Sequence, residues 1–213
     1  MNTLTHHTNI VAEHIHATHR DGAQTLVAIA GPPGSGKSTL ATQVARRLTE
    51  QRTPAIVVPM DGFHLDNAIL EARGIKHLKG APQTFDVAGL IRKIKALKDD
   101  NDVYFPRFDR AQDQSIAGAI AVDHTMPVVI IEGNYLMYDA PVWADLALLW
   151  DITIRLDVPL PDLRARLIQR WLSLNHSSTA ATRRAEENDL PNVKDVIARA
   201  LPCDLTLRID PQG

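Results

Sequence analysis

Residues 31 to 39 read GPPGSGKST, and from Gly31 to Ser38 they match the pattern G-x-x-x-x-G-K-[ST]. Each residue type has a chemical reason to be there. Gly31, Gly34 and Gly36 let backbone N–H groups approach phosphate oxygens with no Cβ in the way, and a following helix N-terminus adds partial positive charge. Lys37 has the reach and charge for β- and γ-phosphates, and Ser38, with Thr39 beside it, offers a hydroxyl to Mg²⁺. Ser35 completes the set of candidate nucleotide contacts.

Two acids complement this loop. The segment VVPMDGFHLDN (57–67) is an apolar run that ends at Asp61, and MPVVIIEGN (126–134) is another that carries Glu132 near its end. An Asp-Gly pair is also what a plain solvated turn uses. An acid near a γ-phosphate has two uses: it holds Mg²⁺, or it accepts the proton of an attacking hydroxyl. Glu132 better fits the acid-tipped strand that anchors a metal, which leaves Asp61 for the base. His64, three residues past Asp61, and Asn134, two past Glu132, are further candidate contacts for an acceptor.

The flanking pattern supplies the elements that must hold these groups. TLVAIA (25–30) is a short apolar run of strand type, and the Leu40, Val44 and Leu48 spacing, with Ala41 and Ala45, predicts a helix directly after the loop. A helix of about 14 residues travels about 21 Å, and the strand AIVVP brings the chain back over about 16 Å. With a right-handed parallel crossover, Asp61 then emerges at the carboxyl end of its strand, on the edge that carries the loop.

Farther along, YFPRFDR (104–110) follows the turn-like KDDND and contains Pro106, so it reads as a short strand end or loop. Tyr104, Arg107 and Arg110 are placed to clamp an acceptor there, with ordinary surface charge as the plain alternative. After the strand DITIRLDV, the helix LPDLRARLIQRW carries Arg166 and Arg170 four apart on one face, with Leu163 and Leu167 on another. Two arginines so spaced suit phosphates, or simply face solvent. The polar stretch 173–187 holds Arg183 and Arg184. ENDLPN reads as a cap before the helix VKDVIARAL, and CDLTLRID as a last short strand.

Composition narrows the class. The chain has 213 residues, 45% hydrophobic and 23% charged, which is enough for one well-buried domain. Lys plus Arg (23) nearly balance Asp plus Glu (25), so no field of one sign favours nucleic acid or a membrane surface. No signal peptide and no run of about 18 apolar residues is evident, which predicts a cytoplasmic protein. The lone Cys203 reads as a buried structural residue. His6, His7, His14, His16 and His19 contain no pair four apart, and read as a solvated helix face opposite Ile10, Val11 and Ile15.

Residues 60–86 (MDGFHLDNAILEARGIKHLKGAPQTFD) resemble bacterial pantothenate kinase, and more broadly the uridine kinase and phosphoribulokinase branch of P-loop kinases. The matching elements are DGF, an N-x-x-L-x-x-R-G helix and a KG-x-P-x-[ST]-[FY]-D segment, together with GPPGSGKST, IIEGN and the pair Phe108–Asp109. The resemblance implies an α/β three-layer P-loop NTPase fold with a doubly wound, mainly parallel sheet. It also implies transfer of the ATP γ-phosphate, with Mg²⁺, to a hydroxyl of a small metabolite, with Asp61 as base. Arginines on or beside a mobile helical lid at about 171–188 would cover the transferring charge. At 103–110 the chain reads VYFPRFDR where pantothenate kinases carry Y-S-H, which argues against pantothenate itself. The chain looks closer to small kinases of this branch, including those associated with bacterial fructose uptake systems.

The expectation is therefore one kinase domain over 1–213, with catalytic Asp61, Lys37 and Arg170, and metal held by Ser38 and Glu132. ATP contacts are expected from the 31–39 loop and Arg166. A sugar, nucleoside or pantothenate-like compound would be the acceptor. The rival reading is a nucleotide-dependent regulatory switch acting on a protein partner. Against a GTPase stands the absent guanine motif N-K-x-D, and against a transporter ATPase the absent L-S-G-G-Q.

Overall fold

A computed structural model describes residues 3–20, 22–99 and 101–209. Five parallel strands form one sheet: β1 (Thr25–Ala30), β2 (Ala55–Pro59), β5 (Val128–Gly133), β6 (Ile152–Asp157) and β7 (Leu205–Arg208), in the order β2-β5-β1-β6-β7. The central strands β1 and β5 are buried along their whole length, which is why TLVAIA and VVIIEG read as unbroken apolar runs rather than alternating ones.

Alternate residues of those strands feed opposite layers. Val27, Ile29 and Ile130 pack with Val11 and Ile15 of α1 (Thr3–Thr18) and with Leu40, Val44 and Leu48 of α2 (Lys37–Glu50). Leu26, Ala28, Val129 and Ile131 pack on the other side with Leu90 and Ile94 of α4 (Val87–Lys98), and with Phe105 and Trp143. Each such fully buried aliphatic side chain is worth roughly 1.5–3 kcal/mol, so the sheet is anchored from both faces. The histidine expectation needs one correction: His7 lies among the buried residues of α1, because its position shares the face of Val11 and Ile15.

Off the main sheet, β3 (Val103–Asp109) and β4 (Gln114–Val122) form an antiparallel hairpin. YFPRFD is thus part of a full strand, and Arg110 lies in the turn that follows. Pro106 is tolerated because the register shifts between Phe105 and Arg107, where no ladder hydrogen bond is demanded of it. Gly62 explains how the hairpin is held. A Cβ at that position would come within 2.2 Å of the Pro106 carbonyl oxygen, so the glycine permits backbone contact rather than serving an Asp-Gly turn.

The carboxyl end of the sheet is roofed by α5 (Leu160–Ser173), α6 (Ser178–Arg184) and α7 (Leu190–Ala198), and α3 (Asn67–Ala72) follows the β2 end. Leu163 and Leu167 of α5 are fully buried with Ala185, Leu190 and Val193. No cap separates α6 from α7: residues Ala185–Asp189 form a π-helical turn that carries the chain straight through. ENDLPN therefore continues a helix, since Pro191 sits in the first turn of α7, where its missing N–H breaks no bond within that helix. Cys203 is half-buried, less enclosed than expected.

Candidate active site

Strand register brings the candidate groups to one edge. Ile29 of β1 and Pro59 of β2 both pair with Glu132 of β5, so the 31–38 loop, Asp61 and Glu132 all leave the sheet at the same level. β5 stands between β1 and β2. Gly133 makes the close fit possible, since a Cβ there would lie 2.5 Å from the Cβ of Met60.

The loop is built as its glycines require. Gly34 and Gly36 have φ of 81° and 95°, a region that L side chains rarely adopt, and α2 starts directly at Lys37. Ser35 Oγ is buried and has no hydrogen-bond partner among the described residues. A buried, unpartnered hydroxyl beside these glycines at a helix N-terminus fits a phosphate group.

Lys37 is buried, not exposed, and its Nζ donates to Asn134 Oδ1 at 2.8 Å and to the Pro32 carbonyl at 3.1 Å. Burial pulls its pKa down; Glu132 and Asp61 pull it up, while Arg170 and Arg110 lower it further. Ser38 Oγ donates to Glu132 Oε1 at 2.8 Å. Burial pushes the Glu132 carboxyl above its ordinary value, against the nearby Lys37 charge and the Ser38 bond. Two oxygens at that separation match neighbouring ligands of an octahedral ion, about 2.9 Å apart when each lies about 2.0–2.1 Å from Mg²⁺. Ser38 and Glu132 fit a magnesium site.

Asp61 is partly exposed, and Arg110 Nη2 donates to its Oδ2 at 2.7 Å. His64 Nδ1 lies 2.8 Å from the Asp61 carbonyl oxygen, and its ring is held between Phe85 (4.1 Å) and Phe108 (4.6 Å). That enclosure lowers the His64 pKa. Arg166 Nη1 reaches the carbonyls of Gly34 and Ser35 at 3.5 Å, the outer limit of a hydrogen bond. Arg170 shares the electrostatic environment of Lys37, Asp61 and Arg110.

Tyr104 and Arg107 stand apart. Among the described residues neither makes a hydrogen bond or ion pair with Asp61, Lys37 or Glu132; Tyr104 lines an open cleft with Asp86, Arg92 and Gly118. Conversely, sequence reasoning gave no site role to Phe85 and Phe108, which pack on His64, or to Lys79 and Tyr135, which lie against those two rings. Lys79 Nζ stands 5.0 Å from the Phe108 ring centroid, and Tyr135 hydroxyl donates to the Gly80 carbonyl at 2.7 Å. The available signal was the segment KGAPQTF itself, in which a lysine, a glycine and an aromatic are set out at short spacing. Asp86 and Asp109 have structural work instead: Asp86 caps α4 through the Gly89 N–H at 2.8 Å, and Asp109 accepts from Ala111 N at 2.9 Å.

Comparison with known proteins identifies a family. Residues 26–173 match the model of the Phosphoribulokinase / Uridine kinase family. The chain is 36% identical over 193 residues to the uncharacterised protein YggC of Escherichia coli K12, covering 89% of this chain and 80% of that one. It is 34% identical over 196 residues to a candidate uridine kinase of Schizosaccharomyces pombe, covering 87% and 83%. A crystal structure of a candidate fructose transport system kinase from Silicibacter sp. TM1040 superposes with a TM-score of 0.90 at 50% identity, over 94% of this chain and 98% of that one. The family match over residues 26–173, with the relatives just described, shows that the chain belongs to the phosphoribulokinase and uridine kinase family, and is a phosphotransferase that takes an alcohol group as acceptor.

Proposed function

We propose that the protein transfers the γ-phosphate of ATP to a hydroxyl of a small metabolite of sugar, nucleoside or pantothenate-like size, with Asp61 as the base. The observation that carries this reading is the separation of the two acids by partner. Glu132 is buried on Ser38, whereas Asp61 is partly exposed and faces the hairpin arginine. That separation supports a metal role for Glu132 and a substrate role for Asp61.

In this reading the 31–39 loop and Lys37 bind the β- and γ-phosphates, and Arg166 secures the loop through its carbonyls. Ser38 and Glu132 would hold magnesium, which would neutralise phosphate charge. Asp61 Oδ2 accepts the hydroxyl proton as the oxygen attacks the γ-phosphorus and the bond from that phosphorus to the bridging oxygen breaks, with ADP as the leaving group. Arg170 stabilises the transferring charge. Residues 171–188, with α6 and the π-helical turn, act as a lid over one kinase domain, working in the cytoplasm. His64, Arg110 and Asn134 orient the acceptor, with Tyr104 and Arg107 on the hairpin as outer contacts.

ADP release measured with MgATP against a panel of sugars, nucleosides and vitamin precursors tests the reading. Release that rises above the acceptor-free background with one class supports it. Release that ignores every acceptor contradicts it and favours a regulatory nucleotidase.

A further inference from the structure

The first helix meets the nucleotide loop. Val11, Ala12 and Ile15 fix α1 in the layer that also holds Leu40 and Val44 of α2, which sets its first two turns beside the loop. Between them lies a cavity of about 190 Å³, lined from α1 by Thr3, Leu4 and His7. Ser35 and Gly36 line it too, so the cavity joins the place where the unpartnered Ser35 hydroxyl sits. α1 ends before the segment 26–173 that matches the family model, so the family match assigns it no part in the site.

The walls suit a flat ring. Leu4, Leu156 and Ile209 are apolar, Arg166 brings a planar guanidinium that stacks on aromatic faces, and His7 is buried yet borders the space with an imidazole. A whole ligand takes roughly 300–1,000 Å³, so this volume accommodates one ring system and not a complete nucleotide. A nucleotide with its phosphates on the 31–38 loop must put its base in a space joined to that loop. Another cavity that touches the loop, at Gly31, Pro32 and Asn134, measures about 80 Å³, less than half as much, and lies on the side of the Lys37–Asn134 bond.

Resting on the kinase reading above, we propose that the base of the donor nucleotide, a purine, occupies the cavity under α1, and that His7 is the residue that sets base preference. A purine edge carries donors and acceptors that a neutral imidazole can meet with one of each, and two fused rings cover the apolar walls more fully than one. Phosphate affinity then comes from the loop, and base selectivity from a helix that precedes it.

Calorimetric titration of the full chain with MgATP, MgCTP and magnesium tripolyphosphate separates base from phosphate. The parent protein should bind MgATP at least about tenfold more tightly than MgCTP or the base-free tripolyphosphate, the size of effect that one well-fitted group contributes. Thr3→Trp, at an exposed position, fills the cavity from α1, whereas His7→Phe keeps a packed ring and removes its polar nitrogens. Each should weaken MgATP about tenfold and leave tripolyphosphate binding unchanged. A merely structural role would weaken both ligands together. In turnover the same variants should raise the ATP KM and leave the acceptor KM as it was. Equal affinity of the parent protein for MgATP and tripolyphosphate overturns the inference, as do variants that bind MgATP like the parent or lose both ligands alike; the kinase reading then still stands on its acceptor panel. ADP release indifferent to every acceptor overturns the kinase reading, whereas MgATP binding lost selectively in Thr3→Trp and His7→Phe still upholds the base site.

Discussion

Arg110 Nη2 lies 2.7 Å from Asp61 Oδ2, joining the end of β3 to the turn after β2 across 49 residues of sequence. The pair is partly solvated, with side-chain exposures of 61% for Arg110 and 27% for Asp61, so it adds little to stability by itself. Its value is positional. The guanidinium holds the carboxylate oxygen toward the hairpin side, where the proposed function puts the acceptor hydroxyl. Arg110→Gln should leave the melting temperature within a degree or two, about the size expected of an exposed pair, and raise the acceptor KM about tenfold. An unchanged acceptor KM would show that Arg110 is a surface charge.

Removing Lys37 separates stability from chemistry. Its ammonium is buried with a lowered pKa, so the ligand-free fold carries a desolvation cost at this position. Lys37→Met keeps the stem packing and removes that cost. The variant should melt no lower than the parent protein while phosphoryl transfer falls by about 10² or more. Activity near that of the parent would remove the loop lysine from the mechanism.

Glu132→Gln removes charge from the proposed metal site and keeps the hydrogen bond that Ser38 donates. The Mg²⁺ concentration at half-maximal rate should rise severalfold or more, with the acceptor KM little changed. If the Mg²⁺ dependence stays as it was, Asp61 becomes the better metal ligand.

His64 links folding to acidity. Enclosure between Phe85 and Phe108 lowers its folded-state pKa below 6.5, against the opposing pull of Asp61 and with the help of Lys79 and Arg110. The unfolded chain therefore takes the proton more readily. The stability this confers is complete above pH 6.5 and is lost as pH falls through the folded value. Thermal melts between pH 7.5 and 5 should show a steeper decline for the parent protein than for His64→Phe. Parallel declines would place the acid sensitivity elsewhere.

Much of this was legible before the structure. TLVAIA and AIVVP were bounded as β1 and β2 are, because buried parallel strands leave unbroken apolar runs between a glycine loop and a helix. Lys37, Ser38, Asp61 and Glu132 were legible because their spacing from strand ends fixes where they emerge. The hairpin was not. SIAGAIAV has small residues and a central glycine, so it carries little strand signal, and its partner is interrupted by Pro106. Lys79 and the Phe85–His64–Phe108 stack depend on contacts between three separate segments, which no local period reports. The π-helical turn at Ala185–Asp189 was hidden by a polar composition that resembles a cap; there, Asp189 accepts the Trp171 indole N–H at 2.6 Å.

The central claim is that Asp61 is the base and not a metal or nucleotide ligand, and Asp61→Asn tests it most directly. Steady-state kinetics on the preferred acceptor, paired with a calorimetric titration of MgATP, should show kcat lowered by about 10² to 10⁴ with nucleotide affinity nearly intact. A loose transition state places the loss at the lower end of that range, since little charge then builds on the attacking oxygen. Acceptor-independent ATP hydrolysis should fall much less, because water is not positioned as the acceptor hydroxyl is. Abolished MgATP binding in Asp61→Asn would contradict the account, and would exchange the roles assigned to Asp61 and Glu132.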